Sequence, residues 1–256
     1  MITRYVVIPF VLISVTPALA SSVTFSDGTF GAFTVAATYE SDATNTTSSI
    51  TQCPTCGTGG TQGLQAQVTF GTAATGNPNN TNSLPQATFA IAENLFVYNP
   101  STQGGILSIN ASVNKDFSST ENSMGIGNSF RPFIEQGGNF YLAMISGPLL
   151  NGPGDTGYNT LSANGLTAAD FVLFNFTTGV SGAGNPNFDG SQITFGLAQN
   201  FNLAAGTTNT ADYDDLSITV NQTPLPAALP LFAGGLGALA ALGWRRKRKN
   251  AAAIAA

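Results

Sequence analysis

Apolar and polar positions alternate with a period of two through most of the middle of the chain. Phe33, Val35, Ala37 and Tyr39 form one such series, and Leu64, Ala66, Val68 and Phe70 form another. The pattern returns at Leu107, Ile109, Ala111 and Val113, at Ile193, Phe195 and Leu197, and at Leu216, Ile218 and Val220. Successive side chains of a strand point to opposite faces, so each series predicts a strand buried on one side. Residues 140–145 and 171–176 are apolar at nearly every position, which predicts strands buried on both faces at the centre of a sandwich. Gly76-Asn77-Pro78-Asn79-Asn80, Gly152-Pro153-Gly154-Asp155 and Asn185-Pro186-Asn187 punctuate the runs with turn-forming residues. The single helix-like piece, Leu166-Thr167-Ala168-Ala169-Asp170, suits one turn. About nine to twelve strands fit residues 21–222, so the expected fold is all-β, one antiparallel, jelly-roll-like β-sandwich. The Thr/Asn/Gly-rich stretches 41–62 and 71–86 read as long surface loops, and no internal repeat is visible.

Both ends break the pattern. Residues 1–20 carry one positive charge, Arg4, then an apolar run from Tyr5 to Val15, a break at Pro17 and the small-residue exit Ala18-Leu19-Ala20. This is the layout of a secretory signal peptide, cleaved after Ala20 by signal peptidase. Its apolar run is too short to cross about 30 Å of hydrocarbon. At the other end no charge occurs from Leu216 to Trp244. Pro224, Pro226 and Pro230 favour extended chain, so a membrane-spanning helix is expected over about residues 229–244. Trp244 suits the headgroup boundary, and Arg245, Arg246, Lys247, Arg248 and Lys249 should stay cytoplasmic. The expected organisation is a signal peptide (1–20), an extracytoplasmic β-sandwich (21–222), a sorting segment (223–250) and a short tail (251–256).

Thr223-Pro224-Leu225-Pro226-Ala227, the apolar Gly/Ala-rich helix and the terminal basic cluster together resemble the PEP-CTERM class of sorting signals in its VPLPA variant. Thr223 stands where that variant usually has Val. The resemblance covers roughly the last thirty residues and none of the body. It implies processing by an exosortase, an integral-membrane Cys protease. The chain would be exported through the inner membrane of a Gram-negative bacterium, held there transiently by its helix, then released to the cell surface or extracellular matrix. Family members come from bacteria that make exopolysaccharide or biofilm matrix.

Composition sharpens this picture. The 256 residues include 8 Lys and Arg, 13 Asp and Glu and no His, and only 8% are charged, against about 25% in an ordinary soluble domain. Without His, Ser-His-Asp and Cys-His catalysis and every His-ligated metal site are excluded. A hydrophobic fraction of 43% supports a packed core. Between residues 21 and 222 the thirteen acids face two bases, Lys115 and Arg131. Nucleic acid is therefore not an expected partner, because phosphate binding needs Lys and Arg.

Four sets of residues are candidates for chemistry. Cys53 and Cys56 flank Pro54-Thr55 in a predicted loop, and an exported chain would pair them as a local disulfide; with no further Cys and no His, they cannot complete a zinc site. Asp27 precedes the first predicted strand, and Asp212, Asp214 and Asp215 precede the last. Those strands commonly adjoin in jelly rolls, so Asp27, Asp214 and Asp215 form a candidate structural calcium site. Glu40, Glu93, Glu121 and Glu135 are scattered and lack the spacing of a glycosidase pair, so no enzyme activity is expected. Tyr39, Tyr98, Tyr141, Tyr158 and Tyr213 are candidate sugar-stacking rings. Phe25-Ser26-Asp27-Gly28-Thr29-Phe30, residues 133–141 and Asp212-Tyr213-Asp214-Asp215-Leu216 weakly resemble concanavalin/laminin-G-like or carbohydrate-binding jelly rolls. The expected role is a structural or adhesive component of an exopolysaccharide or biofilm matrix. The alternative is a carbohydrate-binding module, with a glycan hydrolase third.

Overall fold

Thirteen strands account for most of the described chain. The computed structural model describes residues 21–79, 84–119, 129–143 and 157–223. In chain order the strands are β1 (Ser22–Asp27), β2 (Phe33–Glu40), β3 (Thr46–Cys53), β4 (Gly63–Phe70), β5 (Gln86–Tyr98), β6 (Ile106–Ser119) and β7 (Ser129–Gln136). They continue as β8 (Asn139–Ala143), β9 (Asn159–Leu166), β10 (Phe171–Asn175), β11 (Val180–Ser181), β12 (Ile193–Asn202) and β13 (Thr208–Gln222). Residues 21–223 form a compact unit by themselves. The expected signal peptide 1–20, Glu121, sorting residues 224–227, the helix over about 229–244 and the basic cluster 245–249 lie outside the described residues. No helix among the described residues is long and apolar enough to cross a membrane.

All pairings are antiparallel and build two sheets. One runs β3-β4-β13-β6-β9 with β1 also on β13; the other runs β11-β10-β8-β7-β12-β5-β2. β13 organises the first sheet. Its first half pairs with β4 and its second half with β1, while β6 follows nearly its whole length on the other edge. The period-two residues of β4, β6, β12 and β13 meet between the sheets, where Leu64, Val68, Ile109, Val113, Leu197, Ile218 and Val220 are at most 1% exposed. Gly137 and Gly138, both at positive φ, close the β7–β8 hairpin over a two-residue turn. The helix-like piece is a single 3₁₀ turn, Ala168–Asp170, capped reciprocally by Thr167 and Asp170.

Several details differ from the pattern in the sequence. The stretch 41–62 contains β3, an edge strand whose Thr and Ser side chains give little periodic signal. β6 carries an irregularity between Asn221 and Gln222 of its partner, which puts Ile106 rather than Leu107 inside; Leu107 is 54% exposed. The doubly apolar strands β8 and β10 lie towards one edge of their sheet rather than at its centre. They are apolar on both sides because the outer face of that sheet carries a second apolar cluster, including Ala90, Phe133, Leu142, Phe174 and Ala198.

Candidate functional site

Small side chains leave room on the outer face of the seven-stranded sheet. In the register Thr88 opposes Asn200, Ala90 opposes Ala198, and Ala198 also opposes Arg131. Directly paired residues share a face, so these side chains stand in adjoining rows. Flanked by longer side chains, Ala198 helps to form the floor of a cavity of about 300 Å³. Gln86, Thr88, Asn200, Arg131 and Asn79 supply polar groups to its lining, and Leu142, Phe174 and Val180 supply apolar ones.

Hydrogen bonds fix the polar side. Gln86 Nε2 donates to Thr88 Oγ1 at 3.2 Å, and Thr88 Oγ1 donates to Asn200 Oδ1 at 3.0 Å. Behind them Asn77, 3% exposed, donates through Nδ2 to Gln86 Oε1 at 3.3 Å and to the carbonyls of Thr178 and Gly179 at 3.3 and 3.2 Å. Asn79 Nδ2 reaches the Thr178 carbonyl at 3.2 Å. The loop before β5 is thereby tied to the β10–β11 turn, and together they form one wall. Nearby, Thr178 Oγ1 and Asn202 Oδ1 are buried without a hydrogen-bond partner.

An aromatic ring adjoins that wall, on β10 beside the β10–β11 turn. Phe174 lines the cavity and contacts Phe176 at 4.7 Å between ring centroids. Phe176 meets Phe140 at 5.4 Å, and Phe140 stacks on Phe133 at 5.9 Å. Gly179 shapes the rim for two reasons: its φ is +69°, and a Cβ there would strike the Tyr39 ring. Burial lowers the Arg131 guanidinium pKa from its ordinary value, which marks a poorly hydrated setting for a cation.

The five tyrosines expected as sugar platforms lie elsewhere. Tyr98 and Tyr213 are fully buried between the sheets, Tyr141 packs against that core, and Tyr39 is 7% exposed behind Gly179. Tyr158 has a buried hydroxyl without a hydrogen-bond partner, and its pKa is raised by burial first and by the charge of Asp212 second. The aromatic ring at the cavity is instead Phe174, one of the phenylalanines that strand periodicity alone assigns to the core.

The acidic residues are brought to one end of the sandwich, since Asp27 of β1 opposes Leu216 of β13. Asp212, Asp214 and Asp215 lie within β13 rather than before it. Their oxygens already serve the protein. Asp27 accepts from the backbone N–H groups of Thr29, Phe30 and Gly31 at 2.7 to 3.1 Å. Asp214 accepts from the Thr58 and Asp215 N–H groups at 2.8 and 2.9 Å, and Asp215 accepts from Asn114 Nδ2 at 2.9 Å. Among the described residues no group of three or more Cys, Asp or Glu is placed to hold a metal ion. These carboxylates close turns and join strands.

Cys53 and Cys56 are free thiols, and the expected disulfide is not formed in this structure. Cys56 Sγ turns to the Cys53 carbonyl at 3.8 Å, and burial, with the neighbouring Cys53 and Asp212, pushes its pKa up to about 12. A thiol held that high is a poor nucleophile. Glu40 of β2 accepts from Ser48 at 2.5 Å, Glu93 is buried on β5, and Glu135 lies on β7. Thr223, first residue of the sorting motif, is held to the body by its N–H and hydroxyl, both donating to the Gly105 carbonyl at 2.8 and 3.3 Å.

No protein-family model matches the sequence, and no curated protein is significantly similar to it. Among solved structures, the chain is similar to the CBM22-1 xylan-binding domain from Paenibacillus barcinonensis Xyn10C, at 10% identity and a TM-score of 0.32 over 75% of this chain and 97% of that one. It is also similar to a structure described under the promiscuous specificity of carbohydrate-binding modules from the β-sandwich superfamily. That match has 14% identity and a TM-score of 0.29, over 73% of this chain and 58% of the other.

Proposed function

We propose that this chain is an exported, surface-sorted, non-catalytic β-sandwich that binds polysaccharide in the cavity on the outer face of its seven-stranded sheet. The observation that carries the binding half is the lining itself. A network of amide and hydroxyl groups on Gln86, Thr88 and Asn200 faces the same space as the Phe174 ring. A sugar ring offers hydroxyls to the first and C–H faces to the second. A glycosidase needs a pair of carboxylates at its site, and none of the described residues lining this cavity is Asp or Glu, which favours binding over cleavage. The address half rests on the sequence: a signal peptide over 1–20, and a tail resembling the PEP-CTERM class over Thr223, Pro224, Leu225, Pro226 and Ala227 with its helix and basic cluster. The proposed processing partners are signal peptidase and exosortase, and the proposed setting is an exopolysaccharide matrix.

Isothermal titration of the purified protein with a panel of soluble polysaccharides tests the binding. Saturable binding to at least one glycan is expected, weakened about tenfold or more by Asn200→Ala, which removes one well-placed hydrogen-bonding group. No saturable binding across the panel, or full affinity in the variant, would sink the proposal.

A further inference from the structure

The body is strongly acidic, yet the cavity is not. Thirteen Asp and Glu face only Lys115 and Arg131 between residues 21 and 222. Lys115 is enclosed between the sheets at 0% exposure, with Nζ donating to Gln199 Oε1 at 2.9 Å. It is thereby withheld from any ligand outside the core. The remaining base, Arg131, lines the cavity, and no acidic residue stands among the eleven described residues that do. The register sets Arg131 across Ala198, one row from the Thr88–Asn200 pair. A ligand seated on Ala198 therefore meets hydroxyl and amide groups on one side and a guanidinium on the other.

Resting on the reading of this cavity as a glycan site, we propose that it selects an acidic sugar, a uronic acid or a sugar bearing another carboxylate, whose anionic group is held by Arg131. A guanidinium matches a carboxylate with two parallel N–H···O bonds. Arg131 already has a partner within the protein, and its five N–H donors allow it to hold a neighbour and a ligand at once. A charge-assisted contact in a poorly hydrated cavity contributes more than a neutral hydrogen bond. The acidic form of a glycan should therefore bind about tenfold tighter than its neutral form. Salt separates this site from a basic surface patch. The acidic surface repels an anionic polymer at long range, and that repulsion fades once the Debye length falls to about 8 Å near 0.15 M salt. The contact inside the cavity is screened less. Affinity for an acidic polymer should hold or rise from low to physiological salt, where a surface patch of Lys and Arg would lose it.

The test titrates the full chain with polygalacturonate and with the same polymer fully methyl-esterified, each at low and physiological salt. Tighter binding of the acid form by about tenfold, undiminished by salt, is the expected result. Arg131→Gln should bring the two affinities together, weakening the acid form more than the ester. Equal or tighter binding of the ester by the unaltered protein overturns this inference and leaves glycan binding standing, as does an acid preference that survives Arg131→Gln. Binding of neither polymer overturns the acidic-sugar proposal, and glycan binding falls with it only if the wider panel of neutral polysaccharides also fails. Comparing acid and ester on the unaltered protein needs no variant, so a misfolded Arg131→Gln would not rescue the idea.

Discussion

At 1% exposure, Glu93 keeps both carboxylate oxygens buried without a hydrogen-bond partner. Burial first, and the charge of Asp27 second, push its pKa from 4.5 up to about 7. Between those two values the folded protein retains a proton that the unfolded chain has released. Its contribution to stability is therefore present at low pH and is lost as pH rises from about 4.5 to about 7. Glu93→Gln keeps the shape and removes the charge. The variant is expected to match the parent below about pH 4 and to exceed it above pH 7 by up to about 3 kcal/mol. Urea unfolding of both proteins across this range reads the difference directly. A gap that shrinks as pH rises would refute the assignment. Lys115 shows the opposite sign: burial lowers its pKa well below the ordinary value, so its contribution grows as pH rises towards the unfolded value, about 10.4.

Between elements, Lys115 and Gln199 link the two sheets, since β6 lies in one and β12 in the other. Gln199 Oε1 also accepts from the buried Tyr213 hydroxyl, and Lys115 Nζ lies 5.4 Å from the Tyr213 ring centroid. Removing the shared acceptor strips a hydrogen bond from both donors at once. Gln199→Leu is expected to destabilise by about 3 kcal/mol. Lys115→Met removes the costly charge and leaves the Tyr213–Gln199 bond, so its loss should be smaller and it could stabilise. Denaturant midpoints of the two variants check the order, and a larger loss for Lys115→Met would overturn it. Gly179 tests the β10–β11 turn. Adding a methyl at positive φ and against Tyr39 should cost about 2 kcal/mol and shift the cavity wall. Gly179→Ala should therefore lower both the melting temperature and glycan affinity. Unchanged affinity would separate the turn from the site.

These elements were unequally legible. Leu64, Val68, Ile193, Leu197, Ile218 and Val220 alternate cleanly because one face of each strand meets the core, and all are buried as that alternation requires. β5 is buried at eight successive positions from Gln86 to Glu93, so its sequence has no period to follow. The site was hidden for a related reason. Ala198, Thr88 and Asn200 matter through what neighbouring strands bring beside them, and Asn77 and Asn79 lie in a stretch that composition assigns to a surface loop. Only long-range register assembles the cavity.

For the whole molecule, charge separates by segment. All thirteen acids lie in the body, while five of the eight bases follow Trp244 in a single run. On the proposed reading, this run follows an uncharged apolar span and stays cytoplasmic. The Thr223–Gly105 hydrogen bonds place the last described residue against the body, so a cut beside it would leave the sandwich whole. If the tail is an address that is then removed, the released protein should begin at Ser21 and lack the basic run. It should also be more acidic than the full chain, whose formal net charge is −5. Intact-mass measurement of protein recovered from the surface of exporting cells decides this. A chain from Ser21 ending near Thr223 is expected, and replacing Pro224 and Pro226 with Ala should leave an uncut, membrane-held form. Surface protein that still ends at Ala256 would mean that the helix is a permanent anchor. The sandwich would then have to meet its polysaccharide at the membrane instead of within the matrix.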